Sequence, residues 1–221
     1  MSRILVDQVR SNSASGDAIT LDGNGKCAIN ATTINSLTFP TSDGSANQLI
    51  KTNGSGTLSF ETVSAGITMA DSWRITSSFS VGSGSNDITS NWERDDNNFE
   101  NIGTGLTESR GIFSFPATGK YLLLWNHSIE ASCARRYVGI LAKLSTDTGS
   151  NYTTLSESYD SMHDQSGNTT FGAGGSTIIV DVTNETTFRL KWTTSCSGSA
   201  SFDGNTNQQR TGFTCLKLGD T

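Results

Sequence analysis

Proline and histidine are nearly absent from this chain of 221 residues, with 2 of each. With so little proline, its turns fall to 23 glycines and to Asn, Asp and Ser, which tolerate left-handed backbone or hydrogen-bond to it locally. His127 and His163 are the only imidazoles. Ser–His, Cys–His and most zinc chemistry depend on imidazole at a set position, so the chain is poorly equipped for them. His127 follows an apolar run and reads as a strand-end side chain, and His163 lies in a polar loop. Charge is also scarce, at 16%, and 15 basic against 21 acidic residues leave a net charge of −6. Arg135-Arg136 is the one basic pair, read as a solvated loop or a partner for Glu130. Nucleic-acid binding needs clustered Lys and Arg to neutralise phosphate, so that partner is not expected.

Long apolar runs are missing too. None approaches the about 18 residues of a membrane-spanning helix, so membrane insertion is not expected. The opening Met1-Ser2-Arg3-Ile4-Leu5-Val6-Asp7 meets a charge before an apolar leader region can form, so synthesis and assembly in a cytoplasm are expected. Cys27, Cys133, Cys196 and Cys215 show no C-x-x-C spacing, which leaves zinc ribbons and thioredoxin-like chemistry without support. Free thiols are the default in a reducing compartment, with a Cys133–Cys196 bridge as the alternative. Gly82-Ser83-Gly84 and Gly103-Thr104-Gly105 lack the spacing and following Lys of a phosphate loop.

What is present is β structure in two styles. The expected divisions are residues 1–66 and 67–221. In the first, strand-sized pieces such as Ala18-Ile19-Thr20-Leu21 and Gln48-Leu49-Ile50-Lys51 alternate with Gly/Asn turns. Each supplies one or two apolar side chains, too few for one copy to close a core. Three copies around an axis would close one, each lending Ile19, Leu21, Ile29, Ile34, Leu37, Leu49 and Leu58 to a shared seam. Ile4, Leu5, Val6 and Val9 form an apolar plug for attachment to another body. A disordered linker is the alternative reading of this segment.

The second division is richer. Gly111–Phe115, Lys120–Asn126, Tyr137–Leu144, Tyr152–Tyr159, Ser176–Val182, Thr187–Trp192 and Gly212–Leu218 read as strands. Phe188, Leu190 and Trp192 alternate with Arg189 and Lys191, so one face of that strand is buried. No stretch keeps a 3.6-residue period, and an antiparallel sandwich of about eight strands is expected. Gly172-Ala173-Gly174-Gly175 reads as a connecting loop, and Asn91 through Phe99 as a loop with aromatic anchors. Within it, Glu93, Asp95, Asp96 and Glu100 form a solvated loop or, alternatively, a calcium candidate; no other cofactor is expected. Adjacent carboxylates point apart, which disfavours glycoside hydrolysis. Tyr152, Tyr159, His163, Phe171 and Phe202 are the candidate receptor-binding residues, since rings beside Asn and Asp groups suit carbohydrate recognition.

Two resemblances sharpen the reading. Gly111-Ile112-Phe113-Ser114-Phe115 with Gly119-Lys120-Tyr121-Leu122-Leu123, Asp181-Val182 to Phe188-Arg189-Leu190, and Thr211-Gly212-Phe213-Thr214-Cys215-Leu216-Lys217-Leu218 resemble three strand signatures of the complement/tumour-necrosis-factor-like jelly roll. That resemblance implies a compact homotrimer with apolar residues packed along a threefold axis. The polar insert from Ser197 to Gln209 departs from it. Leu5-Val6-Asp7-Gln8-Val9-Arg10-Ser11 and the stretch from Phe39 to Phe60 resemble fibre and virion structural proteins of tailed phages, marine ones in particular. This second resemblance implies a virion location, with an N-terminal trimeric β stalk contacting other virion proteins and a C-terminal jelly-roll head presented outward. A non-enzymatic short fibre binding a host surface glycan or protein is the expected function. The alternative is a capsid head-decoration protein. A secreted ligand and a polysaccharide-degrading fibre are weaker rivals.

Overall fold

The computed structural model describes residues 36–62, 66–97 and 99–221, and before residue 36 only the strand placements 8–9, 19–21, 27–29 and 33–34. The chain divides into two compact units, Met1–Ala65 and Gly66–Thr221. Among the described residues all regular structure is β, and no helix is long and apolar enough to cross a membrane.

The first unit is a succession of small antiparallel pairings. Strands β1 (Gln8–Val9), β2 (Ile19–Leu21) and β3 (Cys27–Ile29) form a meander. Strands β4 (Thr33–Ile34) and β5 (Leu37–Thr38) pair, as do β6 (Gln48–Thr52) and β7 (Leu58–Thr62). The turn between β6 and β7 is set by Asn53, whose carboxamide oxygen accepts from the backbone N–H groups of Ser55 and Thr57. Val9, Ile19 and Leu21 therefore fall on strands, while Ile4, Leu5 and Val6 lie outside the described residues. Leu58 is half-buried, but Leu37 and Leu49 are exposed, Leu49 by 61%, and Ile50 on the opposite face of β6 is exposed by 55%. A two-stranded hairpin with apolar side chains in water on both faces is marginal alone.

The second unit is a jelly-roll sandwich. Its strands are β8 (Ala70–Ile75), β9 (Ser77–Val81), β10 (Gly84–Asp87), β11 (Trp92–Arg94), β12 (Thr107–Ser109), β13 (Ile112–Ser114), β14 (Gly119–Ala131), β15 (Arg135–Ser145), β16 (Thr153–Met162), β17 (Thr170–Val182), β18 (Arg189–Cys196), β19 (Ala200–Asn205) and β20 (Gly212–Gly219). Strand β14 is the spine of one sheet. Along one edge it pairs with β17 over its full length, and along the other with β20 and then β19. Strands β8 and β11 extend that sheet beyond β20, and β9 extends it beyond β19. The other sheet runs β12-β13-β18-β15-β16, with β10 also on β18. Every strand pairing is antiparallel.

Alternation along β14 decides what is core. Tyr121, Leu123, Trp125, His127, Ile129 and Ala131 point inward and are buried. They meet Phe113, Val138, Ile140, Leu190 and Trp192 of the facing sheet. Aromatic edges close the centre: Phe113 and Phe213 lie 4.9 Å apart at 89°, and Trp192 and Phe213 lie 5.1 Å apart. Rings packed edge to face add to their area burial. The sequence reading of 172–175 as a loop is corrected, because all four residues lie within β17. Glycine is required there by close approach. A Cβ on Gly174 would meet the His127 ring at 2.9 Å, and one on Gly175 would overlap the Trp125 carbonyl.

Strand β8 carries an unusual load, since all six of its residues are buried. The Arg74 guanidinium has no solvent exposure, and three carboxylates converge on it: Glu93 at 3.0 Å, Asp95 at 2.5 Å and Asp96 at 3.0 Å. Within the segment read as a solvated loop or calcium candidate, Trp92–Arg94 is a strand beside β8. Glu93 on that strand, with Asp95 and Asp96 just after it, surrounds an arginine supplied by the neighbouring strand. A second buried carboxylate, Asp71, accepts from Arg94, from the Trp73 indole N–H at 2.9 Å and from the Leu106 backbone N–H at 2.7 Å. Charges taken from water at this depth hold only when fully paired, and removing one partner costs about 3–5 kcal/mol. Arg74→Ala is therefore expected to lower the unfolding free energy of the head by about that amount, measured by chemical denaturation, with Arg74→Lys recovering only part because it lacks the planar fork.

Candidate functional site

The rows of the outward face of the sheet built on β14 can be read from strand register. One row is Ala70, Leu216, Leu122 and Ile179. The next is Ser72, Thr214, Leu124 and Thr177, and the third is Arg74, Gly212, Asn126 and Gly175. Ile179 is exposed by 64%, Leu124 is also exposed, Leu122 and Leu216 are half-buried, and Leu218 lies exposed beyond them. Leu124, Asn126, Gly175, Thr177 and Gln209 line a depression of about 420 Å³ in this face. Its floor is low because Gly175 contributes no side chain.

At the other end the face changes character. The direct cross-strand row there is Phe171, Glu130, Ser201 and Ser80. Between the two ends lies the loop 206–210. The Asn126 carboxamide donates to the Arg210 carbonyl at 2.7 Å, and that of Gln209 donates to the Trp73 carbonyl at 3.2 Å. The Thr206 hydroxyl donates to Glu93 at 2.8 Å, and the Asn97 carboxamide donates to the Thr206 carbonyl. The polar insert noted in the sequence is therefore strand β19 followed by a loop pinned over the buried arginine. It separates an apolar end of the face from a polar one.

The five candidate receptor residues are not brought together. Phe171 lies at the outer end of the polar end's row and is exposed by 71%. Tyr159 is exposed on β16 of the other sheet, edge-to-face with Tyr137 at 5.6 Å. His163 is exposed in the turn after β16. Tyr152 is half-buried, with the Lys191 ammonium 4.2 Å from its ring centroid. Phe202 is corrected outright: it is fully buried and stacked on Phe79 at 5.6 Å. Its polar neighbours in sequence disguised an inward position on β19, although Ala200 and Phe202 two residues apart were the available signal. Arg135 donates to the Ser199 carbonyl at 2.5 Å and to the Ala134 carbonyl at 2.8 Å. Cys196 and Cys215 are buried and Cys133 is exposed, all three as free thiols.

His127 is not at a strand end. It sits inside β14, buried against Trp125 and Phe202, and neither ring nitrogen has a hydrogen-bond partner. Burial pushes its pKa down from 6.5 to about 4, and the Asp160 carboxylate opposes that only in part. A neutral imidazole with no route to solvent is packing, not a catalytic base.

No protein-family model and no curated protein matches the chain. Solved structures do match it. The Eiger tumour-necrosis-factor structure from S. frugiperda superposes with a TM-score of 0.53 at 13% identity, covering 71% of this chain and 96% of that one. Murine APRIL at pH 8.0 gives 0.49 at 13% identity, covering 68% and 98%. The PRD1 vertex protein P5 gives 0.43 at 16% identity, covering 70% and 100%. The likeness to Eiger establishes that the head has the tumour-necrosis-factor-like jelly-roll fold.

The buried histidine makes stability pH-dependent with a definite sign. Its pKa is lower folded than unfolded, so the neutral form favours folding and protonation favours unfolding. The stabilisation is complete above about pH 6.5 and is lost as pH falls towards 4. About 2.5 pH units of difference correspond to roughly 3 kcal/mol. The gap in unfolding free energy between the wild-type chain and His127→Leu is expected to shift by about that amount in favour of the variant between pH 7 and pH 4.

Proposed function

We propose that the chain is a non-enzymatic, homotrimeric virion protein of a tailed phage: a short fibre attached through its N-terminal unit, whose jelly-roll head binds the host surface. The observation that carries this reading is the apolar end of the head's outward sheet face. Leu122 and Leu124 stand on β14, which is paired on both sides, with Ile179 on its neighbour β17 and Leu218 on its neighbour β20; Leu124, Ile179 and Leu218 are exposed to water. Contiguous apolar surface on a rigid sheet is a contact surface. The β17 edge and this face are different patches of one copy, so a contact between them is head-to-tail, the kind that makes a ring when its rotation closes.

The N-terminal unit supports the same assembly. Leu37, Leu49 and Ile50 are exposed on pairings too small to bury them, and three copies would supply the missing interior along the seam that includes Ile19, Leu21 and Leu58. The resemblance of residues 5–11 and 39–60 to phage virion proteins supports an attachment end there, with Ile4, Leu5, Val6 and Val9 as the proposed plug. Three heads on one stalk gain avidity from weak individual sites. A capsid decoration protein would use the same trimer, and copy number per particle separates the two.

Replacing Ile179 or Leu124 by Glu places a charge in the proposed contact while leaving the inward core of β14 untouched. Each variant is expected to sediment as a single folded chain, and virions carrying it to adsorb to host cells at least tenfold more slowly. Variants that keep the wild-type sedimentation coefficient overturn the assignment of the face. Normal sedimentation loss with unchanged adsorption favours the decoration role.

A further inference from the structure

The polar end of the sheet face is built unlike the rest of it. Phe171, Glu130, Ser201 and Ser80 are direct partners across β17, β14, β19 and β9, so their side chains share one face in a row roughly 14 Å long by strand spacing. Beside the ring, Glu130, Ser132, Arg135, Thr169, Ser199 and Ser201 line a pocket of about 270 Å³ with Ser80 at its rim. That is small against the roughly 300–1,000 Å³ of sites for drug-sized ligands, and suits a single sugar ring. No hydrogen bond or ion pair from a described residue reaches the Glu130 carboxylate. Arg135 already gives two of its N–H groups to the Ser199 and Ala134 carbonyls. Together these weigh against an anion, which would meet Glu130 as a like charge and a guanidinium with part of its fork engaged. An apolar peptide would bury the hydroxyls unpaired.

We propose that this pocket and the Phe171 ring form a binding site for a neutral saccharide of the host surface, an inference that rests on the fibre reading above. A pyranose offers one C–H face and a rim of hydroxyls. The Phe171 ring covers the former as an apolar platform, exposed at the outer edge of the row. Glu130 accepts from a pair of vicinal hydroxyls, and the Ser201, Ser80 and Thr169 hydroxyls both donate and accept. The row is long enough for two or three sugar units in line, with one held in the pocket. The pinned loop 206–210 keeps this end apart from the apolar end, so assembly through the latter leaves it open.

The test is saturation-transfer NMR on the full chain with the methyl glycosides of glucose, galactose, mannose, N-acetylglucosamine and glucuronic acid. Transfer to the ring C–H protons of at least one neutral glycoside is expected. It should fall at least tenfold in Phe171→Ala and in Glu130→Gln, while both variants sediment as the wild type does. Transfer to none of the five, a strongest signal from the glucuronide, or signals that survive both substitutions overturn the proposal. So does an altered sedimentation coefficient for Phe171→Ala, which would place that ring in a contact between copies. A chain that trimerises and adsorbs to cells but fails with all five sugars removes this inference alone. A single-chain species that still shows the saccharide signal removes the fibre reading instead.

Discussion

Side-chain alternation along the thirteen residues of β14 is the constraint on which the head depends. With β17 along one edge and β20 and β19 along the other, the strand cannot slip by one residue without exchanging its two faces. One face then must carry Tyr121, Leu123, Trp125, His127 and Ile129 into the sandwich, and the other must carry Leu122, Leu124, Asn126, Ser128 and Glu130 outward. Outward leucines flanked by Ile179 and Leu216 are a cost in a lone head and an asset in an assembly. The same register that builds the core therefore also lays out the outward face proposed as the contact surface.

The buried arginine explains how that surface is subdivided. Arg74 is on the outward side of its sheet, yet it is fully covered, because Glu93, Asp95 and Asp96 fold over it from the neighbouring strand and the loop beyond. Thr206, bonded to Glu93, continues the cover into the loop 206–210. Without the guanidinium the cover would be a set of repelling carboxylates. With it, apolar rows end at one side of the loop and hydroxyls, a carboxylate and an exposed ring begin at the other. The proposed self-association and the proposed ligand contact then occupy one sheet without competing for the same side chains.

Much of this was legible in the residues. Phe188, Leu190 and Trp192 alternate with charged neighbours, and all three are buried as that pattern requires, Leu190 and Trp192 on β18 and Phe188 immediately before it. The jelly-roll fold was legible from the Gly and aromatic positions around Gly111–Leu123 and Thr211–Leu218. Strand β14 was harder, because Tyr121-Leu122-Leu123-Leu124-Trp125 is apolar on both faces and hides its own alternation. The glycine-rich run 172–175 looked like a loop, since glycine is depleted in strands; packing of Gly174 and Gly175 against His127 and Trp125 overrode that tendency. Arg74 gave no signal at all. A guanidinium between Trp73 and Ile75 reads as solvated until tertiary structure brings carboxylates from about twenty residues away, a separation that local patterning does not register. The aromatic candidates were separable only by register: Phe171 falls on an outward position of β17 and Phe202 on an inward position of β19.

Self-association of the intact chain is the point at which this reading is most exposed. The most direct measurement is the mass of the purified, full-length wild-type protein by native mass spectrometry at micromolar concentration. A dominant species of three chains, each of 23.5 kDa, is expected. A folded species with the mass of one chain would contradict the assignment of the outward apolar rows and of the N-terminal seam together.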